Sequence, residues 1–250
     1  MGTGALTEAS PPIPRDDAAL FLDIDGTLID IAPTPQAVKV PAGLPALLGR
    51  LSWRFAGSLA LVSGRGLEDI DRLFQPFRFP AAGIHGAERR DALGNHHYAG
   101  LTSEDLTPAR TELRRFAARH PGLLLEDKGR SLALHFRQAP ELEATVREAL
   151  EQARIELPAE AHLQPGHCVI ELKGGSASKR GAIEEFMQEP PFAGRVPVYL
   201  GDDLTDMDAL THVHTAGGLG IFVGPEPRPG LGWLPSPAAV LEWLRSLDTK

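Results

Sequence analysis

The sequence holds a single cysteine, Cys168, in 250 residues, so no disulfide can form within the chain. Cys168 sits in the apolar string Cys168-Val169-Ile170 and reads as a packed core residue. Positive charge is also in deficit. Thirty-three Asp and Glu against twenty-five Lys and Arg give a net charge of −8. That balance argues against nucleic acid or an anionic membrane surface as partner. No apolar run approaches the roughly 18 residues needed to span a bilayer. The first sixteen residues lack the 7–15-residue apolar stretch of a secretory signal, so a cytoplasmic protein is expected. The histidines at 96, 97, 162, 167, 212 and 214 show no zinc-ligand spacing.

What is present is an ordinary globular composition, 42% hydrophobic, with an alternation of strand and helix signals. Residues 1–16 read as a disordered tail. Strands are predicted at Ala18–Leu22, Ser58–Val62 and Ala81–Ile84, with helices at Gly43–Arg54 and Leu67–Phe74. That order predicts an α/β fold on a doubly wound parallel sheet, whose ligands gather beyond the carboxyl ends of the strands. The pattern then changes. A hairpin (Glu88–Asp91, Asn95–Tyr98) is followed by helices at Pro108–Arg119 and Glu141–Arg154. Strands are predicted at Leu123–Glu126, Ser131–Arg137, Ala161–Gln164 and His167–Lys173. This order predicts an inserted α+β domain with an antiparallel sheet, residues 100–174, within a core made of 17–99 and 175–250. A helix at Arg180–Gln188, strands at Val196–Leu200 and Gly220–Val223, and a helix at Pro237–Leu247 complete the core.

The most informative residues are Asp23-Ile24-Asp25-Gly26-Thr27, directly after the first strand. A calcium loop also opens Asp-x-Asp, but it needs a ligand at position 5, Gly at 6 and Glu at 12. Thr27, Leu28 and Thr34 stand there. The arrangement instead suits phosphoryl transfer to an aspartate. Asp23 is the candidate nucleophile, and Asp25, two residues on, the candidate proton shuttle. The second strand ends at Ser63-Gly64-Arg65, where Ser63 offers a hydroxyl donor. Lys179 opens a later helix and supplies a cation. The strand after it ends at Gly201-Asp202-Asp203-Leu204-Thr205-Asp206. Magnesium takes oxygen ligands in octahedral geometry. Asp23 and Asp202 through carboxylates, and Asp25 through its main-chain carbonyl, form a candidate set, with Asp203 and Asp206 supporting it from behind. Thr205 or Asp206 is also expected to cap a helix.

This ordered set resembles the haloacid dehalogenase superfamily, whose first motif is Asp-x-Asp-x-Thr. The strings Gly83-Ile84-His85-Gly86-Ala87-Glu88-Arg89-Arg90, Leu132-Ala133-Leu134-His135-Phe136-Arg137 and Val169-Ile170-Glu171-Leu172-Lys173 extend the likeness. Together with the acidic cluster at 202–206, they resemble the trehalose-phosphatase family. The resemblance implies magnesium-dependent hydrolysis of trehalose 6-phosphate through an aspartyl-phosphate, and a functional link to a trehalose-phosphate synthase. It also implies an inserted domain that closes as a cap over the sugar. Candidate substrate contacts are Thr27, Gly64, Arg65, His85, Glu126, Lys128, Glu171 and Lys173. Two departures stand out: Arg180 follows Lys179 where the family commonly has glycine, and Met207 replaces an acidic residue. The alternative substrate is another sugar phosphate, such as sucrose 6-phosphate. A receiver module, which also phosphorylates an aspartate, is about half this length and lacks the second aspartate. A catalytically silent relative would have lost one of these carboxylates, and none is missing.

Overall fold

Every residue of the run Ala18–Leu22 is buried, and the run forms strand β1. An apolar strand without polar alternation needs cover on both faces, the condition of an interior parallel strand. β1 lies between β2 (Leu59–Val62) and β10 (Val196–Gly201), both parallel to it. The structure, a computed structural model, describes residues 11–175 and 177–248. Parallel β3 (Ala81–Gly83) extends the sheet on the β2 side, followed by the antiparallel hairpin β4 (Glu88–Arg90) and β5 (His96–Tyr98). On the other side, β11 (Leu219–Val223) and β12 (Gly232–Leu234) continue parallel, giving the order β12-β11-β10-β1-β2-β3-β4-β5.

Alternating residues of β1 feed two cores. Ala18, Leu20 and Leu22 pack with helices α1 (Leu44–Arg54), α2 (Leu67–Leu73) and α7 (Pro237–Asp248). Ala19 and Phe21 pack with α5 (Lys179–Phe186) and α6 (Met207–Thr215). The doubly wound parallel sheet is therefore as expected. The sequence marked only the start of α6 and missed β12. In α6, Thr, His and Val disfavour the helix, which is held instead by buried Ala209, Leu210 and Val213. β12 has three residues and begins with glycine, too short to show alternation. Asp206 stands at the N-cap position of α6, as expected, but makes no capping bond there; a short turn precedes it. Asp203 is the cap of that turn, accepting from the Leu204 N–H and exchanging a reciprocal bond pair with Asp206.

A second, four-stranded antiparallel sheet runs β6 (Leu124–Asp127), β7 (Leu132–His135), β9 (Val169–Lys173), β8 (His162–Gly166). One face carries Leu132, Leu134, Ile170 and Leu172 against α3 (Thr107–Arg119) and α4 (Glu143–Arg154). Strand alternation turns the intervening residues the other way. Glu126, Ala133 and Glu171 align across β6, β7 and β9 on that opposite face. Small Ala133 thus separates two carboxylates. The two segments joining the sheets cross at Gly100, whose φ is +75°. A Cβ there would lie 2.3 Å from the Gly174 carbonyl oxygen, so only glycine fits.

The expected N-terminal tail falls outside the described residues for positions 1–10. Pro11 accepts a hydrogen bond from the Trp243 indole, and Asp16 pairs with Arg54. Among the described residues no helix is long and apolar enough to cross a membrane.

Candidate active site

The Asp23 N–H donates to the Leu200 carbonyl, so the chain leaves β1 still paired to β10 and delivers the Asp23 side chain to the sheet's carboxyl edge. The following loop is closed by N–H groups of Leu28 and Ile29 on the Ile24 carbonyl. Gly26 has φ +82°, and a Cβ there would lie 2.0 Å from Asp202 Oδ2. Glycine is what lets Asp202 approach. Thr27 Oγ1 donates to Asp202 Oδ1 at 3.3 Å, fixing that carboxylate to the first loop.

Ser178 caps α5 by accepting from the Gly181 N–H, which sets Lys179 on the first turn. Lys179 Nζ donates to Asp23 Oδ1 at 2.7 Å and Asp206 Oδ1 at 2.6 Å. Asp206 also accepts from the Tyr199 hydroxyl and from the N–H groups of Asp202 and Asp203. Both Asp206 oxygens are therefore committed to holding the loop.

Asp23, Asp202 and Asp206 bring carboxylate oxygens within 4.8 Å of one another, against one ammonium. Burial pushes Asp23 well up; Lys179 pulls it down, but the two neighbouring aspartates add to the rise. Burial and Asp206 likewise lift Asp202, to about 7. Burial opposes the charge on Lys179, yet Asp206 and Asp23 outweigh it and raise its pKa. One lysine does not neutralise this cluster. A divalent cation held by Asp23 and Asp202 fits both the charge surplus and the hard oxygen donors. A second grouping, Asp91, His97 and Glu189, is internally satisfied. Asp91 accepts from His97, Asn95 and Leu93, and Glu189 accepts from Arg89.

Asp25 meets Arg65 in a two-pronged ion pair, Nε to Oδ2 and Nη2 to Oδ1, both at 2.6 Å. Arg65 Nη1 also donates to the Pro35 carbonyl, and its N–H donates to Ser63 Oγ at 3.2 Å. Arg65 thus holds the candidate proton shuttle in place. Its five fixed donors suit such bidentate contact.

Above this floor, a cavity of about 710 Å³ reaches the small sheet. Asp23, Asp25, Ser63, Gly64, Lys179, Asp202 and Asp203 line its base; Glu126, Lys128, His135 and Arg137 line its roof. Glu126 is held by His135 Nε2 at 2.8 Å. Glu171 lies just behind the lining, buried, accepting from Lys128, Ser131 and His85. Burial alone would raise Glu171, but Lys128 and His85 pull it well below the carboxylate range.

Three expectations are corrected, the first being Glu171, which lies behind the lining rather than on it. Lys173 has the same strand parity as Glu171, yet it does not line the cavity. The chain turns away at Gly174, and Lys173 Nζ donates to the Ala177 carbonyl at 2.9 Å. Thr27 is fully buried behind Asp202 rather than on the cavity wall. The departure at Arg180 is harmless to the base of the site, because its guanidinium pairs outward with Glu184 and Asp208. Met207 packs against the second core.

A trehalose-phosphatase family model matches residues 21–228. The chain belongs to the trehalose-phosphatase family. It is 41% identical over 231 residues to the trehalose-6-phosphate phosphatase of Escherichia coli, covering 92% of this chain and 86% of that one. It is 45% identical over 228 residues to a Sinorhizobium fredii protein named probable trehalose-phosphate phosphatase, covering 90% and 85%. The fold matches the crystal structure of a trehalose-6-phosphate phosphatase related protein with TM-score 0.77 and 26% identity, covering 92% and 96%. A haloacid dehalogenase-like hydrolase from Bacteroides thetaiotaomicron shares the fold at TM-score 0.67 and 14% identity, covering 91% and 98%.

In this trehalose-phosphatase the string that carries the resemblance includes His135 and Arg137, but the sequence alone assigns no role at the site to them, to Ser131 or to Tyr199. His135 shares strand parity with Ala133, so the period-2 rule applied along β7 finds it. Arg137 lies past the strand end, where Nη1 donates to the Ala32 carbonyl across the cavity mouth. The roles of Ser131 and Tyr199 depend on partners at 171 and 206, a spacing no local pattern carries.

Proposed function

We propose that the protein hydrolyses trehalose 6-phosphate to trehalose and phosphate, with magnesium, through a phosphorylated Asp23. The observation that supports this reading is one continuous cavity with two chemistries. Its base gathers Asp23, Asp25, Ser63, Lys179 and Asp202, and its roof presents Glu126, Lys128 and Arg137. The base suits a phosphate ester; carboxylates and cations on the roof suit sugar hydroxyls. The family membership and the names of its relatives favour trehalose 6-phosphate over other sugar phosphates.

Asp23 Oδ attacks phosphorus as the bond from phosphorus to the sugar oxygen breaks. Asp25 gives its proton to that departing oxygen. Asp25 then takes a proton from water, whose oxygen attacks phosphorus and releases phosphate, restoring the Asp23 carboxylate. The Arg65 pair occupies both Asp25 oxygens, so one of its two bonds is released when Asp25 carries the proton. Lys179 and the Ser63 hydroxyl supply donors to the phosphoryl oxygens. The Asp23 and Asp202 carboxylates and the Asp25 carbonyl would hold a magnesium ion, which would supply positive charge to offset that on those oxygens. Residues 100–174 act as a cap over the core of 17–99 and 175–250, shielding the site from bulk water. A trehalose-phosphate synthase would supply the substrate.

The mechanism is tested by acid quench during turnover followed by mass analysis of the Asp23 peptide. A phosphate mass on Asp23, absent in Asp23→Asn, is expected. Steady turnover with no phosphorylated peptide, or undiminished activity in Asp23→Asn, contradicts it.

A further inference from the structure

An imidazole ties the turn beside the base of the cavity to the small sheet. His85, in the turn after β3, places Nε2 3.2 Å from Glu171 Oε2 on β9 of the small sheet. The same turn is tied to the loop at the base of the site. The His85 N–H donates to the Ser63 carbonyl and the Ile84 N–H to the Arg65 carbonyl, both at 2.9 Å. Ile84 and His85 both take left-handed backbone angles, φ 49° and 52°. For a β-branched residue such as Ile84 that conformation is strained, so it persists only where its surroundings enforce it. The imidazole then lies against Gly64. A Cβ on Gly64 would come within 2.6 Å of His85 Nε2 and 2.8 Å of Cε1. The glycine between Ser63 and Arg65 is thus required to seat this ring.

The other ring nitrogen, Nδ1, is buried without a hydrogen-bond partner. A neutral imidazole carrying its hydrogen on Nε2 reconciles both facts: the N–H serves Glu171, and only an acceptor lone pair is left bare. Burial lowers the pKa of His85 against the pull of Glu171, with Lys128 and Lys179 adding to the fall, which favours that neutral form. Glu171 consequently takes donors from three places: Lys128 and Ser131 in the cap turn, and His85 in the core.

We infer that His85 is a positioning residue that locks Glu171, and with it the Lys128 ammonium, to the Ser63-Gly64-Arg65 loop, so that the grip on the sugar is set from the phosphate side. This rests on the sugar-phosphate reading above. His85 acts through Glu171 and through Gly64 rather than on the reacting atoms. Loss of the lock therefore falls on substrates that engage the roof, and falls less on a small ester that needs only the base.

The test uses the full chain with His85→Leu, which removes both nitrogens, and His85→Gln, whose side-chain amide can restore a donor near the Nε2 position. The wild type and both variants are assayed on trehalose 6-phosphate, sucrose 6-phosphate and a small aryl phosphate, with thermal unfolding alongside. His85→Leu is expected to lower kcat/KM about tenfold to a hundredfold on the preferred sugar phosphate, mainly through KM, as for loss of a hydrogen bond to a charged group. On the aryl phosphate the fall should stay within about threefold, and His85→Gln should recover most of the sugar-phosphate loss. Equal losses on both substrate types, or no difference between Leu and Gln, would overturn the inference. If the leucine variant fails to fold, Glu171→Gln, His85→Ala and their double variant decide. A double loss no larger than the greater single loss supports the pair; additive losses contradict it. Should the wild type prefer sucrose 6-phosphate, the trehalose assignment fails while the same selective loss still supports the lock. A wild type active only on the aryl phosphate overturns both.

Discussion

Lys179 is the cation on which the buried base depends. Its ammonium separates Asp23 from Asp206, and all three side chains are at most 5% exposed. Lys179→Met leaves two carboxylates in a dry interior with no compensating charge, a change costing about 3–5 kcal/mol. The expected outcome is loss of activity together with a markedly lower urea midpoint; an inactive variant of unchanged stability would show that Lys179 is not structurally paired. Asp202 carries a pH dependence with a defined sign. Its pKa rises from 3.8 to about 7 on folding without metal. Between those values the folded chain holds a proton that the unfolded chain lacks. Its contribution to metal-free stability is therefore present at low pH and declines as pH rises towards 7. Magnesium needs the deprotonated carboxylate, so its affinity should move the other way, weakening about tenfold per pH unit below 7. Calorimetric titration with magnesium at pH 5.5, 6.5 and 7.5 checks this, and equal affinities would contradict it.

Among the elements, α5 and β7 translate local sequence into site geometry. Ser178→Ala removes the N-cap of α5, which should cost about 1 kcal/mol and loosen the turn bearing Lys179. A urea midpoint unchanged within error would contradict that role. On β7, Ala133 leaves room between Glu126 and Glu171. Ala133→Leu should wedge these carboxylates apart, raising KM for the sugar phosphate at least several-fold while affecting an aryl phosphate less. Equal effects on both would mean that the row does not face the sugar. Much of this was legible in the sequence. Apolar runs ending in Asp23, Ser63 and Asp202 fix strand ends, and a parallel sheet gathers its strand ends at one edge. Strand parity put Glu126 and Glu171 on one face, as the register shows, with Glu126 lining the cavity and Glu171 just behind it. The same rule misled at Lys173, because the chain turns at Gly174 and Nζ finds a backbone carbonyl instead. The Arg65–Asp25 clamp spans 40 residues and leaves no local signature.

At the scale of the whole molecule, two sheets enclose one cavity, and the contacts that tie them include His85 to Glu171, Arg137 to the Ala32 carbonyl, and the Arg130 guanidinium over the Tyr98 ring, while the joining segments meet at Gly100 and Gly174. Gly100→Ala places a Cβ 2.3 Å from the Gly174 carbonyl at φ +75°. It should lower stability and turnover on every substrate alike, unlike the His85 variants. The most direct test of the central claim is phosphate release from trehalose 6-phosphate beside sucrose 6-phosphate, glucose 6-phosphate and an aryl phosphate, with and without magnesium. A strong magnesium-dependent preference for trehalose 6-phosphate is predicted. Rates spread evenly over the four, or undiminished without the metal, would contradict it.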